Sequence, residues 1–473
     1  MRHPRPVKTL VAVTGLLLLL LAVLGASPTV PPGLRVAGAP ETVFAWSRDR
    51  CAPDDIPDAP ARAFRDAAGM IHLVASHHVN RALVGPDLDR VRPTCRPILA
   101  SVGDGDPATY ADRTWLAAFF TRDGRRVLGL GHMEYQGHRH PGRCAGRDYR
   151  ACWRNAIVAF RSEDGGHGFL PAAPSGRHVV AALPYRYGGD EGRPTGYFGP
   201  SNILEHAGRL HVFIFAEAMG VQRRGVCLLR AENPDGDGPP VWRAFDGRDF
   251  TVAFADPYRM AVDDPARHAC APLSGIGSTI ASVVRHAPSG LFVALIAARR
   301  APAPDAPPVS GIWYLVSRDL LAWSAPRLLF AGPLLFARDC ARDDAFAYPS
   351  LLDPASPSRN FDVVGGRAFL YLVRIRLADC RPTMTRDLVR LPVEFTLTAD
   401  GRPRPDRDPP PAGAGGRAGV AGGGRGRSRA GRAGGRPCGA WSPTPGRRAG
   451  GRCTGRSPPD RADRRAAPRL RPP

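Results

Sequence analysis

Through the middle of the chain, short apolar runs alternate with polar turns that hold glycine, and this rhythm occurs five times. In the first unit, residues 61–64 lead through Asp66-Ala67-Ala68-Gly69 into residues 70–76. The second unit runs over 115–120, turns at Arg122-Asp123-Gly124 and returns over 127–134. The third uses 201–204, His206-Ala207-Gly208 and 210–217. The fourth uses 278–284, Pro288-Ser289-Gly290 and 291–298, and the fifth 348–352, Gly365-Gly366 and 368–375. Runs rich in β-branched and aromatic residues, joined by turns with Gly at the tip, predict β-hairpins. Their fivefold recurrence predicts a repeat architecture. Outer turns carry a second mark. Ser162-Glu163-Asp164-Gly165-Gly166-His167-Gly168-Phe169 fits S-x-D-x-G-x-x-[FW], and residues 317–323 fit the looser S-x-D-x-x-x-W. In such a turn the Asp accepts backbone N–H groups and the aromatic packs between neighbouring sheets.

On these residues the chain resembles two known groups. Residues 162–169 resemble the Asp box of sialidases. The five-unit layout, with residues 317–323 and Ala347-Tyr348-Pro349-Ser350-Leu351-Leu352-Asp353-Pro354, is similar to the furanosidase propellers of glycoside hydrolase family 43 and its relatives. The resemblance spans about residues 45–395 and implies an all-β, five-bladed β-propeller, each unit forming one radial blade around a central channel. Residues 41–46 or 388–395 are expected to supply the strand that closes the ring.

The ends differ from the body. Arg2, Arg5 and Lys8 precede an apolar stretch with a run of six leucines, and Leu24-Gly25-Ala26 offers a cleavage site, so residues 1–26 read as a signal peptide. Residues 27–44 read as a linker, 45–400 as the propeller domain and 401–473 as a disordered Gly/Arg/Pro-rich tail. The tail carries 18 Arg against 4 Asp, which is +14 of the formal +22, so the body is only mildly basic and no nucleic-acid partner is expected. Lys8 is the only lysine, which excludes a Walker-type phosphate loop or a Schiff-base lysine in the body. Eight body cysteines (51, 95, 144, 152, 227, 270, 340 and 380) in an exported chain predict loops stapled by disulfides, with sequential pairing favoured. A secreted, periplasmic or cell-surface location follows. A membrane association is expected only if the leader stays uncleaved as an anchor. Nothing signals oligomerisation, so a monomer is expected.

Propeller topology turns the repeats into a site. The start of each innermost strand and the end of the next strand lie on one side of the disc. In the five units these positions gather acids, imidazoles, amides, hydroxyls, rings and guanidiniums that suit a sugar. Glycoside hydrolysis needs two carboxyl groups of separated acidity, and Glu134, Glu217 and Asp58 are the candidates. Glu134, between His132 and Tyr135, is suited to general acid work. Asp58 precedes the first innermost strand, where the resemblance implies a general base. Expected substrate contacts are His77, His78, Asn80, His132, Tyr135, Tyr197, Asn202, Arg299, Tyr348 and Arg374. His132, His138 and His140 are too irregularly spaced to predict a metal site, and no metal or cofactor is expected. The residues at 149–153 read as a lid stapled by Cys144 and Cys152. The expected function is an exported glycoside hydrolase-like propeller. A non-catalytic carbohydrate-binding propeller is one alternative. A sialidase-like enzyme, clamping an acidic sugar with Arg299, Arg374 and Arg376, is another.

Overall fold

In the computed structural model the alternating runs form strands and the glycine-bearing segments turn between them. The structure describes residues 31–145, 148–174, 176–232 and 239–396. The expected leader and tail lie outside the described residues. Two strands, β1 (Gly33–Val36) and β2 (Glu41–Phe44), precede the helix α1 (Trp46–Asp49). Antiparallel meanders follow, five in chain order; they form four hydrogen-bonded sheets, because the second and third are joined by parallel pairing of residues 195–196 with 154–155. The first is β3 (Arg62–Arg65), β4 (Ile71–Val74), β5 (Val79–Gly85) and β6 (Arg92–Ala100). The second is β7 (Arg113–Phe120), β8 (Val127–Gln136) and β9 (Trp153–Ser162), edged by β10 (Leu170–Pro171) and β11 (Val179–Ala181).

The third meander opens with two short pieces, β12 (Thr195–Phe198) and β13 (Leu204–His206), both paired with β14 (Arg209–Glu217). It continues through β15 (Gly225–Ala231), β16 (Trp242–Phe245) and β17 (Phe250–Val252). The fourth is β18 (Ile280–His286), β19 (Phe292–Arg300), β20 (Val309–Ser317) and β21 (Arg327–Ala331). The fifth is β22 (Asp344–Leu352), then β23 (Val363–Val364), which pairs in parallel with β18, then β24 (Arg367–Ala378) and β25 (Arg381–Thr396). Its outer edge is completed from the other end of the chain, because β1 and β2 both pair antiparallel with β25. The closing contact therefore uses both expected segments. It also corrects the linker expected at 27–44, since residues 33–36 and 41–44 are strands whose Leu34 and Phe44 are buried.

The four disulfides are sequential: Cys51–Cys95, Cys144–Cys152, Cys227–Cys270 and Cys340–Cys380. In both marked turns the Asp accepts backbone N–H groups, with the second turn one residue tighter than the first. Asp164 Oδ1 accepts from the backbone of His167 and Gly168, and Asp319 Oδ1 from Leu321 and Ala322.

The meanders meet at a single buried side chain. Arg62, on the first strand of the first meander, is 3% exposed. Its Nε donates to Ala117 O in the second meander at 2.7 Å. Its Nη2 donates to Ala281 O in the fourth at 2.6 Å and to Pro200 O, just ahead of β13, at 3.3 Å. Its Nη1 donates to Ser350 Oγ in the fifth at 3.3 Å. One guanidinium thus reaches all four other meanders. A small cavity of about 10 Å³ lies beside it, lined by Asn202, Ser282 and Ser350.

Asparagines lace the meanders farther out. Asn80 accepts from Leu116 N and donates to Thr114 O; Asn202 does the same with the N and O of Val283, and Asn360 with those of Thr121. A side-chain amide satisfies both polar groups of an inner strand that has no ladder partner on that side. Arg62→Ala would leave three buried carbonyls without their donor. It is expected to cost about 3 kcal/mol or more, with Arg62→Lys failing to restore the loss because an ammonium lacks the planar fork. Thermal unfolding of the two variants against wild type measures this.

Candidate active site

The hairpin β7–β8 carries most of the site on one face. Cross-strand register sets Arg113 opposite Glu134 and Trp115 opposite His132, and Glu134 opposite Asn155 of β9. Side chains two apart share a face, so Arg113, Trp115, His132, Glu134 and Gln136 point one way. Met133 and Tyr135 point the other way, into the core, at 1% and 2% exposure. Tyr135 therefore does not reach a ligand: it donates to Gly105 O at 2.8 Å and packs on Tyr187 and His140.

Asp58 is the centre of a second cluster that joins the first. Its Oδ2 accepts from Trp115 Nε1 at 3.1 Å, and its Oδ1 accepts from Tyr348 OH at 3.1 Å. Arg386 closes a short ion pair on the same Oδ1. His77 Nε2 lies 3.9 Å from Oδ2. The side chains of Asp58, His77 and Arg386 keep 15%, 16% and 14% of their surface, so the cluster is sunk yet reachable from solvent. Tyr348 holds the left-handed backbone conformation, φ 58°, beside an irregularity in the pairing of β22 with β24. A non-glycine residue pays for that conformation only where its surroundings fix it, a pattern concentrated at functional sites.

The imidazoles are neutral around pH 7. Burial above all, then the Arg386 charge, pushes His77 down to about 4. Burial, then His77 and Arg113, does the same to His78, whose Nε2 accepts from Arg113 at 2.7 Å. Burial holds His132 at about 4 as well. Its Nε2 faces Asn155 Oδ1 at 3.2 Å; since the Asn155 amide donates to Thr195 O, the oxygen accepts and Nε2 carries the hydrogen. The rings of His77, His78 and His132 all approach Trp115, with centroids at 5.5, 5.7 and 6.3 Å.

The two carboxyl groups differ. Burial raises Glu134 to about 7; the negative charge of Asp58 adds to this, while the amide of Gln136, donating to Oε2 at 2.7 Å, and Arg113 oppose it. Burial also raises Asp58, but Arg386, Tyr348 and Trp115 all favour its ionised form. The arrangement supplies one acid that holds its proton near neutrality beside one carboxylate with a fixed cation.

Other expected contacts lie elsewhere. Asn80 and Asn202 are the clasps described above. Tyr197 is fully buried and donates to Gln222 Oε1 at 2.8 Å; its neighbour Phe198 is the ring that approaches His132, at 5.5 Å. Glu217 lies in the same cross-strand row as Glu134, beyond Asn155 and Gly196, and takes both its hydrogen bonds from Arg224, at 3.0 and 3.2 Å. Three strand spacings separate the two glutamates, about 14 Å. Arg374 pairs with Asp387 at 2.7 Å, Arg376 with Asp344 at 3.3 Å, and Arg299 is exposed, so the expected arginine clamp does not form. Nor do the three histidines considered for a metal meet: His140 binds Asp112 and His138 binds Trp153.

Next to Gln136, Tyr149, Trp153 and His138 form a group of rings, with Tyr149 52% exposed. The Cys144–Cys152 disulfide staples this loop at the rim of the site. Trp115, Gln136 and Arg386 are site residues that the repeat pattern did not single out. Arg386 reaches in from the third strand of its meander, whereas the topological rule selects the first two.

No protein-family model and no curated protein matches the chain. Solved structures similar to it include the α-L-arabinofuranosidase from Lactobacillus brevis, at 12% identity and TM-score 0.43, covering 74% of this chain and 94% of that one. The Cellvibrio cellulosa α-L-arabinanase is similar at 10% identity and TM-score 0.42, covering 74% and 95%. The catalytic domain of the Coprinopsis cinerea GH62 α-L-arabinofuranosidase is similar at 11% identity and TM-score 0.39, covering 76% and 96%.

A weakened carboxyl acidity is linked to stability. The folded state holds the Glu134 proton to about pH 7, while an unfolded chain releases it near its ordinary value, so folding stability falls as pH rises through this window. Glu134→Gln removes that penalty. Its melting temperature is expected to exceed wild type at pH 8 by several degrees and to match it near pH 5.

Proposed function

We propose that the five meanders are the blades of a five-bladed propeller and that the chain is an exported glycoside hydrolase acting at its mouth. The observation that carries this reading is the pair of carboxyl groups in contrasting surroundings, Glu134 and Asp58, ringed by neutral imidazoles and aromatic faces. Glu134 protonates the departing glycosidic oxygen. Asp58 acts as the base toward a water molecule, or stabilises the positive charge that develops on the sugar ring. Arg386, Tyr348 and Trp115 orient Asp58 and favour its ionised form against the effect of burial, and His78 accepts a hydrogen bond from Arg113. Neutral imidazoles and stacked rings suit an uncharged sugar. Tyr149 and Trp153 extend the apolar surface for further sugar units of a polymer. The leader sequence and the disulfides fit an oxidising compartment outside the cytoplasm.

One observation favours a second reading, a propeller that binds glycans without cutting them. Both oxygens of Asp58 are already engaged by Arg386, Tyr348 and Trp115, which weakens it as a base. Screening the purified protein on a glycan array, then assaying hydrolysis of whatever binds, separates the two.

On a cleaved substrate, kcat/KM is expected to decline above about pH 7 as Glu134 loses its proton. Glu134→Gln and Asp58→Asn are each expected to lower it about 10²- to 10⁴-fold while glycan binding persists. Turnover unchanged in both variants would remove these residues from the mechanism. Binding with no cleavage by wild type would establish the second reading.

A further inference from the structure

At the end of the first inner strand opposite Asp58, three potential ligands from two meanders converge. Asp66 follows β3, His72 lies on β4, and His167 belongs to the marked turn after β9. One ligating atom from each lies within 4.8 Å of the others. Asp66 Oδ2 and His72 Nε2 are 3.3 Å apart. That is the edge of a tetrahedron whose centre makes bonds of about 2.0 Å, the zinc–oxygen and zinc–nitrogen length.

Each ligand is held by something else. Asp66 Oδ1 accepts from Ala68 N and Met70 N at 2.9 Å, which fixes the carboxylate and leaves Oδ2 facing the histidines. His72 is 1% exposed and stacked on its cross-strand neighbour Phe64, with centroids 4.9 Å apart and planes 12° apart. His72 Nδ1 is buried and has no hydrogen-bond partner. His167 meets His72 edge-on at 4.9 Å and is exposed, giving a metal a path from solvent.

The turn that presents His167 is itself pinned. Its backbone N–H bonds Asp164, and Gly166 holds φ +94° where a Cβ would strike Phe64. A backbone bond from Ala67 N to Gly124 O ties the first meander to the second, and one from Gly165 N to Arg125 O holds the marked turn against the β7–β8 turn.

We infer that Asp66, His72 and His167 form a zinc(II) site, with water as the fourth ligand, that clamps the first meander to the second at the face away from the carboxyl pair. In the metal-free protein the Nε2 hydrogen of His72 bridges to Asp66. On binding, the hydrogen moves to Nδ1 and the metal takes its place, so the ring stays neutral. The site is independent of the proposed hydrolysis, because Asp58 and Asp66 lie at opposite ends of β3.

The test uses the purified full chain, stripped with a chelator and titrated with ZnCl₂ by calorimetry. Co(II) serves as a spectroscopic substitute. One equivalent of zinc, a rise in melting temperature and a tetrahedral Co(II) spectrum are expected for wild type. His167→Ala, at an exposed position, and Asp66→Asn, which keeps its backbone acceptor, should each weaken zinc by about 100-fold or more and abolish the Co(II) spectrum. Absence of stoichiometric binding to wild type, or equal binding by His167→Ala, would overturn the assignment.

Discussion

Where inner strands from several sheets converge, they present backbone groups with no neighbour to pair them. Here one guanidinium pairs with such groups. Arg62 has five N–H donors in a rigid plane, and its partners in the other meanders are Ala117 O, Pro200 O, Ala281 O and Ser350 Oγ. Burial pulls it down to about 9, so it remains a cation at neutral pH, balanced by carbonyl dipoles. These contacts also place the site. Trp115 lies two residues before Ala117, Tyr348 two before Ser350, and Asp58 four before Arg62 itself. Asp58 and two of its partners, Trp115 and Tyr348, are therefore tied to the segments the guanidinium holds together.

The carboxyl pair above that hub is an exercise in opposed environments. Glu134 stands on a hairpin face among an amide, a neutral imidazole and an indole neighbour, and burial raises it to about 7. Asp58 has a cation and two neutral donors. The negative charge of Asp58 is itself one reason Glu134 keeps its proton, so neither acidity is a property of one residue. The strained backbone of Tyr348 belongs to the same arrangement, since it delivers the phenol to Asp58.

Much of the strand layout was legible because apolar runs, alternation and Gly-tipped turns are local signals. Of the rim positions, Asp58, His77, His78, His132, Glu134 and Tyr348 lie in one cluster around Trp115 and Asp58. The rim topology failed where the answer depended on which face of a strand a residue occupies. Tyr135 and Tyr197 each sit one position from a residue that does face the site, Glu134 and Phe198, and period two sends them into the core. Asn80 and Asn202 looked like sugar contacts, since an amide suits a sugar or an unpaired strand edge equally well. Arg62 as a hub and Arg386 as the Asp58 partner were invisible, because each depends on strands hundreds of residues apart.

The most direct test of the account is the titration of the Glu134 carboxyl, followed by ¹³C NMR in wild type and in Asp58→Asn. The account predicts a midpoint near pH 7 in wild type, lowered when the Asp58 charge is removed. A midpoint near the ordinary glutamate value of about 4.3, unmoved by the substitution, would contradict it.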